Sequence, residues 1–217
     1  MKGMERITSF VDSYIPDDEG LLGEIYSSAV NDGVPVIRRA AKEFLKTQLA
    51  VKNPKNILEI GTAVGYSSLF MSKYTDEKCK ITTIELDEKR AEEAIANIRK
   101  LKKEKVIKVI KGDALDVLKT LPDASYDFLF VDAAKGQYIN YYEEVLRIAE
   151  KGAVIISDNI LQDGEILESH FTVEKRNRTI HDRMREYLYK ITHDDRVWSA
   201  ILSVADGMAV TIKKDER

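Results

Sequence analysis

The chain has a single cysteine in 217 residues, Cys79. That excludes a disulfide within the chain and fits a reducing compartment, so a cytoplasmic location is expected. Cys79 stands in Asp76-Glu77-Lys78-Cys79-Lys80 with no Cys or His beside it, which reads as a surface or strand-edge thiol and not as a nucleophile. Long apolar runs are missing as well. None approaches the roughly 18–20 residues that span a bilayer, so no membrane partner is expected. The opening Met1-Lys2-Gly3-Met4-Glu5-Arg6 lacks the apolar centre of a signal peptide. Neither sign of charge dominates: the formal net charge is −3, which gives no global attraction to nucleic acid. Repeats, low-complexity segments and long linkers are also absent. A 44% hydrophobic fraction is that of an ordinary soluble globular protein. The length fits one domain over 1–217, with a helical segment at 1–52 and a core at 55–217.

What the chain does have is a rhythm. Residues 4–14, 18–32 and 35–50 read as helices, the last with Pro35 near its start, where a missing N–H is harmless. From Asn56 onward, short apolar strands alternate with helices. This order implies a parallel sheet with right-handed crossovers. Five strands run into residues able to hold a ligand: Gly61, Glu85, Gly112-Asp113, Asp132 and Asp158-Asn159. In an open parallel sheet ligands bind outside the carboxyl ends of the strands, so these residues are expected along one rim. Asp87 is a plausible N-cap for a helix over 87–101, and a further helix is expected near 140–150. At the end, 197–204 and 208–212 flank Ala205-Asp206-Gly207, a hairpin signal. An antiparallel hairpin closing a parallel sheet is unlike the usual dinucleotide fold.

The glycine motif agrees. Glu59-Ile60-Gly61-Thr62-Ala63-Val64-Gly65-Tyr66-Ser67 has the spacing Glu-x-Gly-x-x-x-Gly, not Gly-x-Gly-x-x-Gly. A pyrophosphate needs the tighter glycine turn at a helix N-terminus, which makes a dehydrogenase a poor reading. S-adenosylmethionine carries no phosphate and suits this loop better. Glu85 could then accept hydrogen bonds from both ribose hydroxyls, while Asp113 and Ala114 would face the adenine. Asp132, Asp158 and Asn159 put three oxygen donors at adjacent strand ends, without His or Cys. That set suits a hard octahedral cation such as Mg²⁺. Lys135, three residues past Asp132, is placed to take a proton.

These residues carry a resemblance. The Glu59–Ser67 motif, Phe130-Val131-Asp132-Ala133-Ala134-Lys135-Gly136-Gln137-Tyr138 and Ser157-Asp158-Asn159 closely resemble the cation-dependent O-methyltransferase family. Catechol and caffeoyl-coenzyme A O-methyltransferases belong to that family, and the resemblance runs from about Val34 to the C-terminus. It implies an α/β class I methyltransferase (Rossmann-like) fold. The sheet would have seven strands, mostly parallel with an antiparallel terminal hairpin strand, plus N-terminal helices. It implies S-adenosylmethionine as donor, bound by Val34, Glu59, Gly61, Gly65, Ser67, Glu85, Asp113, Ala114 and Asp132. It implies a divalent metal on Asp132, Asp158 and Asn159, with Lys135 as the catalytic lysine.

Within the family, Lys135-Gly136-Gln137-Tyr138, the insertion Ile160-Leu161-Gln162-Asp163-Gly164, Glu174-Lys175-Arg176-Asn177-Arg178 and Ala205-Asp206-Gly207-Met208-Ala209 resemble the bacterial branch that methylates 5-hydroxyuridine at the tRNA wobble position. Catechol and 5-hydroxyuridine both offer two adjacent oxygens, so one metal site could serve either. Two basic clusters bear on the choice. The one at 99–105 ends a helix that starts at the rim, and should lie away from the metal. The one at 174–190 follows Asn159 and should stay near it, where an anticodon loop could be gripped. A small catechol-like acceptor and a non-enzymatic scaffold on the same fold stay open as alternatives. Phe10, Val11, Tyr14, Leu21 and Leu22 could form a homodimer surface or pack internally. His170, His181 and His193 look scattered and receive no role.

Overall fold

The computed structural model describes residues 2–215, so Met1, Glu216 and Arg217, the extremes of the expected domain, lie outside the described residues. Three helices come first: α1 (Lys2–Asp12), α2 (Gly20–Asn31) and α3 (Arg39–Lys52). Then follow β1 (Asn56–Ile60), α4 (Tyr66–Lys73), β2 (Lys80–Glu85), α5 (Glu88–Lys100), β3 (Ile107–Lys111), α6 (Ala114–Thr120) and β4 (Tyr126–Val131). The chain ends with α7 (Tyr138–Ile148), β5 (Ala149–Ser157), α8 (Arg178–His193), β6 (Val197–Leu202) and β7 (Met208–Lys213).

The seven strands form one sheet in the order β3-β2-β1-β4-β5-β7-β6. The first five are parallel, and β7 runs antiparallel to both β5 and β6. The expected α/β sheet with a reversed terminal hairpin is therefore observed. Strand alternation sorts the core into two layers. Leu58, Ile60, Leu129 and Val131 pack with α6, α7 and α8. Ile57, Phe128 and Phe130, on the other face, pack with α3, α4 and α5. Every residue of β4 is buried, as expected of a central parallel strand covered on both faces.

Two expectations change, and a choice left open is divided. α3 begins at Arg39, because Arg38 is extended at φ −68° and ψ 153°; Pro35, Val36 and Ile37 instead line the cleft above the sheet. Cys79 is buried at 1% exposure. Its amide bonds to the Asp76 carbonyl oxygen, and the Lys78 amide bonds to the Asp76 side chain. That turn sends the thiol inward while the charged neighbours stay outside, and burial pushes the thiol up to about 11. Leu22 is buried in the core, whereas Phe10, Val11, Tyr14 and Leu21 are exposed. Among the described residues, no helix is long and apolar enough to cross a membrane.

Candidate functional site

Sheet topology decides where the site must be. The strand order reverses direction between β1 and β4, and such a switch point opens a crevice at the carboxyl ends of the strands. A cleft of about 790 Å³ lies there, a size suited to a small cofactor with its substrate. Gly61, Ser67, Glu85, Asp113, Ala114, Asp132, Lys135 and Asn159 all line it.

The backbone is shaped for this. Gly61 has φ +101°, and a Cβ on it would lie 1.9 Å from the Asp132 carbonyl oxygen. Only glycine lets the ends of β1 and β4 approach so closely. Glu85 accepts from the Ala63 amide at 2.8 Å with one oxygen and from the Asp87 amide at 2.9 Å with the other. It thus ties the glycine loop to the start of α5, and each oxygen keeps a lone pair for a ligand hydroxyl. Asp87 caps α5 by accepting from the Arg90 amide, and Asp113 caps α6 through the Leu115 amide.

Four expected residues stand back from the cleft surface. Val34 donates its amide to the Ala29 carbonyl, while its neighbours Pro35 and Val36 face the cleft. Gly65, at φ +83°, lets α4 pack against Ala94 of α5. Glu59 is fully buried beneath the loop, where Ser68 and Thr83 hydroxyls donate to one carboxylate oxygen. Its other oxygen has no partner among the described residues, and burial pushes the carboxyl up to about 7. Asp158 is buried at 1% exposure, next to the lining residue Asn159.

Asp132, Asp158 and Asn159 come together as the strand-end reading expected. The Asn159 side-chain Nδ2 donates to Asp132 Oδ1 at 3.1 Å. Asp158 Oδ1 accepts from the Asn159 amide, and Asp158 Oδ2 has no partner among the described residues. Burial, then the neighbouring Asp132 carboxylate, pushes Asp158 up to about 7; burial raises Asp132 as well. Two adjacent desolvated carboxylates with an orphaned oxygen are costly without a cation. The donor set fits a hard divalent ion.

Sequence reasoning missed two supporting residues. The Tyr138 hydroxyl lies 3.2 Å from the Val131 carbonyl oxygen, 3.0 Å from that of Asp158 and 3.3 Å from the Ala133 amide. It pins the ends of β4 and β5 together and so fixes the spacing of the two aspartates. Asp206, in the turn between β6 and β7, is almost fully buried and lies 3.4 Å from Lys135 Nζ. It also accepts from the Asp163 amide. Asp163 in turn binds Arg38 at 2.6 Å. Across the same turn, Ile160 and Leu161 donate to the Gly207 and Asp206 carbonyls. The insertion therefore folds onto the hairpin turn whose Asp206 reaches Lys135.

α8 packs against the turn that carries Lys135. Arg183 Nη1 lies 3.3 Å from the Gly136 carbonyl oxygen. Lys175, Arg176 and Arg183 are exposed, whereas Arg178 is half-buried and donates to the Phe171 and Val173 carbonyls. The other basic cluster ends α5, whose capped start is at the rim.

Comparison with known proteins agrees with this geometry. Residues 17–214 match the O-methyltransferase family. A catechol O-methyltransferase of Niastella koreensis is 31% identical over 176 residues, covering 77% of this chain and 80% of that protein. Caffeoyl-CoA O-methyltransferase 2 of Populus trichocarpa is 31% identical over 174 residues, 77% of this chain and 70% of that one. The O-methyltransferase of Bacillus cereus, solved in complex with SAH, superposes with a TM-score of 0.83 at 26% identity, over 96% of this chain and 97% of that one. The chain belongs to the O-methyltransferase family and is a methyl-transferring enzyme.

Proposed function

We propose that the enzyme transfers the methyl group of S-adenosylmethionine to one hydroxyl of a vicinal oxygen pair. The acceptor we favour is 5-hydroxyuridine in a tRNA anticodon loop, with 5-methoxyuridine as product. Glu85 is placed for the ribose hydroxyls, and Asp113 and Ala114 for the adenine edge. Gly61 and Ser67 are placed for the amino-acid end, and Glu59 supports that loop from below. Asp132, Asp158 and Asn159 would hold a divalent cation such as Mg²⁺, which when bound acidifies the attacking hydroxyl. Lys135 Nζ, as the neutral amine, takes the proton of that hydroxyl and becomes an ammonium. Asp206, 3.4 Å away, is placed to receive that ammonium at the edge of the cleft. The wall from Pro35–Ile37 limits water and helps keep nucleophile and methyl in line, a positioning effect that supplies much of the acceleration.

The observation that carries the RNA reading is the contact of α8 with the Lys135 turn, through Arg183 and Gly136. It sets the exposed Arg183 beside the Lys135 turn, and this basic stretch supports a reading in which a phosphate backbone is held while a base turns in. A small catechol has no use for that charge. The names of the curated relatives, catechol and caffeoyl-CoA O-methyltransferases, favour a small phenolic acceptor as the second reading. Mass spectrometry of tRNA nucleosides from a strain lacking this protein separates the two. Loss of 5-methoxyuridine with 5-hydroxyuridine accumulating is the expected result, and an unchanged nucleoside profile supports the small phenol.

A further inference from the structure

His170 and His181 are eleven positions apart in sequence, yet the fold brings both to one carboxylate. His170 Nδ1 lies 2.8 Å from Asp182 Oδ1, and His181 Nδ1 lies 3.2 Å from the same oxygen. His170 comes from the segment between the 162–167 turn and α8, and His181 and Asp182 from the first turns of α8. Among the described residues, these three form the one His, Cys, Asp and Glu cluster with metal-ligand spacing.

The second nitrogen of His181 narrows the chemistry. Nε2 lies 3.1 Å from the Glu168 carbonyl oxygen, which can only accept, so Nε2 carries a hydrogen. In the neutral ring Nδ1 then presents its lone pair to the Asp182 oxygen. Asp182 is held below the usual carboxylate range by His170 first and His181 second. Lone pair against carboxylate is repulsive unless a proton or a cation lies between. The ring of His181 is 1% exposed, so its orientation is fixed by packing and by the Glu168 carbonyl. That arrangement, one imidazole nitrogen donating to a backbone carbonyl and the other left free, is how metal-ligating histidines are oriented.

The distances fit as well. Ligand atoms about 2.0–2.1 Å from a zinc ion are about 2.9 Å apart at a right angle and about 3.3 Å apart at the tetrahedral angle. The observed 2.8 and 3.2 Å match those edges. We propose that His170, His181 and Asp182 form a second cation site, for a borderline divalent transition ion such as Zn²⁺, with solvent completing the shell. Its nitrogen donors distinguish it from the all-oxygen set of Asp132, Asp158 and Asn159. Binding joins the 168–170 segment to α8, and α8 abuts the Lys135 turn through Ile180 against Gly136 and Arg183 on its carbonyl. An ion here braces the start of α8 against the Lys135 turn without touching the reacting atoms. Arg185 also reaches the Glu168 carbonyl, at 3.4 Å, and its charge moderates the affinity.

The test is zinc binding by calorimetry to the full-length, untagged chain carrying Asp158→Ala, which dismantles the oxygen site. The wild-type chain in excess Mg²⁺ is a second background. One Zn²⁺ per chain is expected in both, weakened at least ~10-fold by adding His170→Ala or Asp182→Asn. Both residues are exposed, so neither change threatens folding, and circular dichroism verifies it. Co²⁺ should give a visible absorption band that disappears with His170→Ala. Absence of stoichiometric Zn²⁺ in these backgrounds, or equal affinity with and without His170, overturns the proposal and leaves the cluster as a proton-bridged ion pair.

Discussion

Lys135 Nζ lies 3.4 Å from Oδ2 of Asp206, a carboxylate carried by the turn of the terminal hairpin. The residue proposed to accept the proton is therefore held from the reversed edge of the sheet, not from the parallel strands that carry the aspartates. Lys135→Ala should lower turnover by roughly 10²–10⁴-fold, the range of a positioned acid–base group, with little change in Mg²⁺ affinity. The pH–rate profile should lose its main limb. Asp206→Asn should lower turnover less, because the lysine stays but its anionic partner is gone. An unchanged profile in Lys135→Ala would make the lysine a bystander.

Asp158→Ala and Glu85→Ala should separate the two halves of the site. The first should abolish methyl transfer and leave S-adenosylmethionine binding largely intact. The second should weaken cofactor binding by about 1–3 kcal/mol, the order of a charge-assisted hydrogen bond. It should also lower stability, since the Ala63 and Asp87 amides lose their acceptor. Calorimetric loss of cofactor binding in Asp158→Ala, matching its loss of activity, would contradict this division.

Glu59 predicts a pH-dependent stability. Its folded-state pKa, about 7, lies above the ordinary 4.5 because the carboxyl is buried. The folded state holds this proton more tightly than the unfolded state. The contribution is complete below pH 4.5 and is lost as pH rises through 7. Glu59→Gln should flatten that slope and stabilise the ligand-free chain at about pH 8 by on the order of 2 kcal/mol. Thermal unfolding of both chains between those limits reads it; parallel curves would show that Glu59 is ionised throughout.

The basic stretch at 175–183 predicts a salt effect. Neutralising Lys175, Arg176 and Arg183 together should weaken tRNA binding and flatten its salt dependence, because fewer counterions are released. Arg178 is left alone, since it holds the Phe171 and Val173 carbonyls. Methylation of a small catechol should survive the same changes. Equal loss on both substrates would assign these residues a structural role.

Much of this site was legible because strand ends are local features. Apolar runs locate β1, β2, β4 and β5, and the residue after each run falls on the rim by topology alone; Asp132, Asp158 and Asn159 needed nothing more. The partners that come from far along the chain were not legible. Asp206 meets Lys135 only because β7 reverses beside β5, and neither the hairpin signal of Ala205-Asp206-Gly207 nor its family resemblance points to that partner. His170 meets His181 only because the 162–177 segment folds back on α8, and that segment has no periodicity to register. Cys79 was misjudged because its charged neighbours mark the surface of the turn, while the side chain between them points inward. Pro35 suits a helix start, but Pro35–Arg38 is extended over the cleft and the helix waits until Arg39.

The most direct test of the account is methylation by the purified enzyme of tRNA containing 5-hydroxyuridine, with S-adenosylmethionine, in Mg²⁺ and after chelation. The nucleosides are read by mass spectrometry, and a catechol is run in parallel. The account predicts 5-methoxyuridine with Mg²⁺ present, and none after chelation or in Asp158→Ala. Methylated catechol with no methylated tRNA would contradict the RNA reading, and full activity after chelation would contradict the metal site.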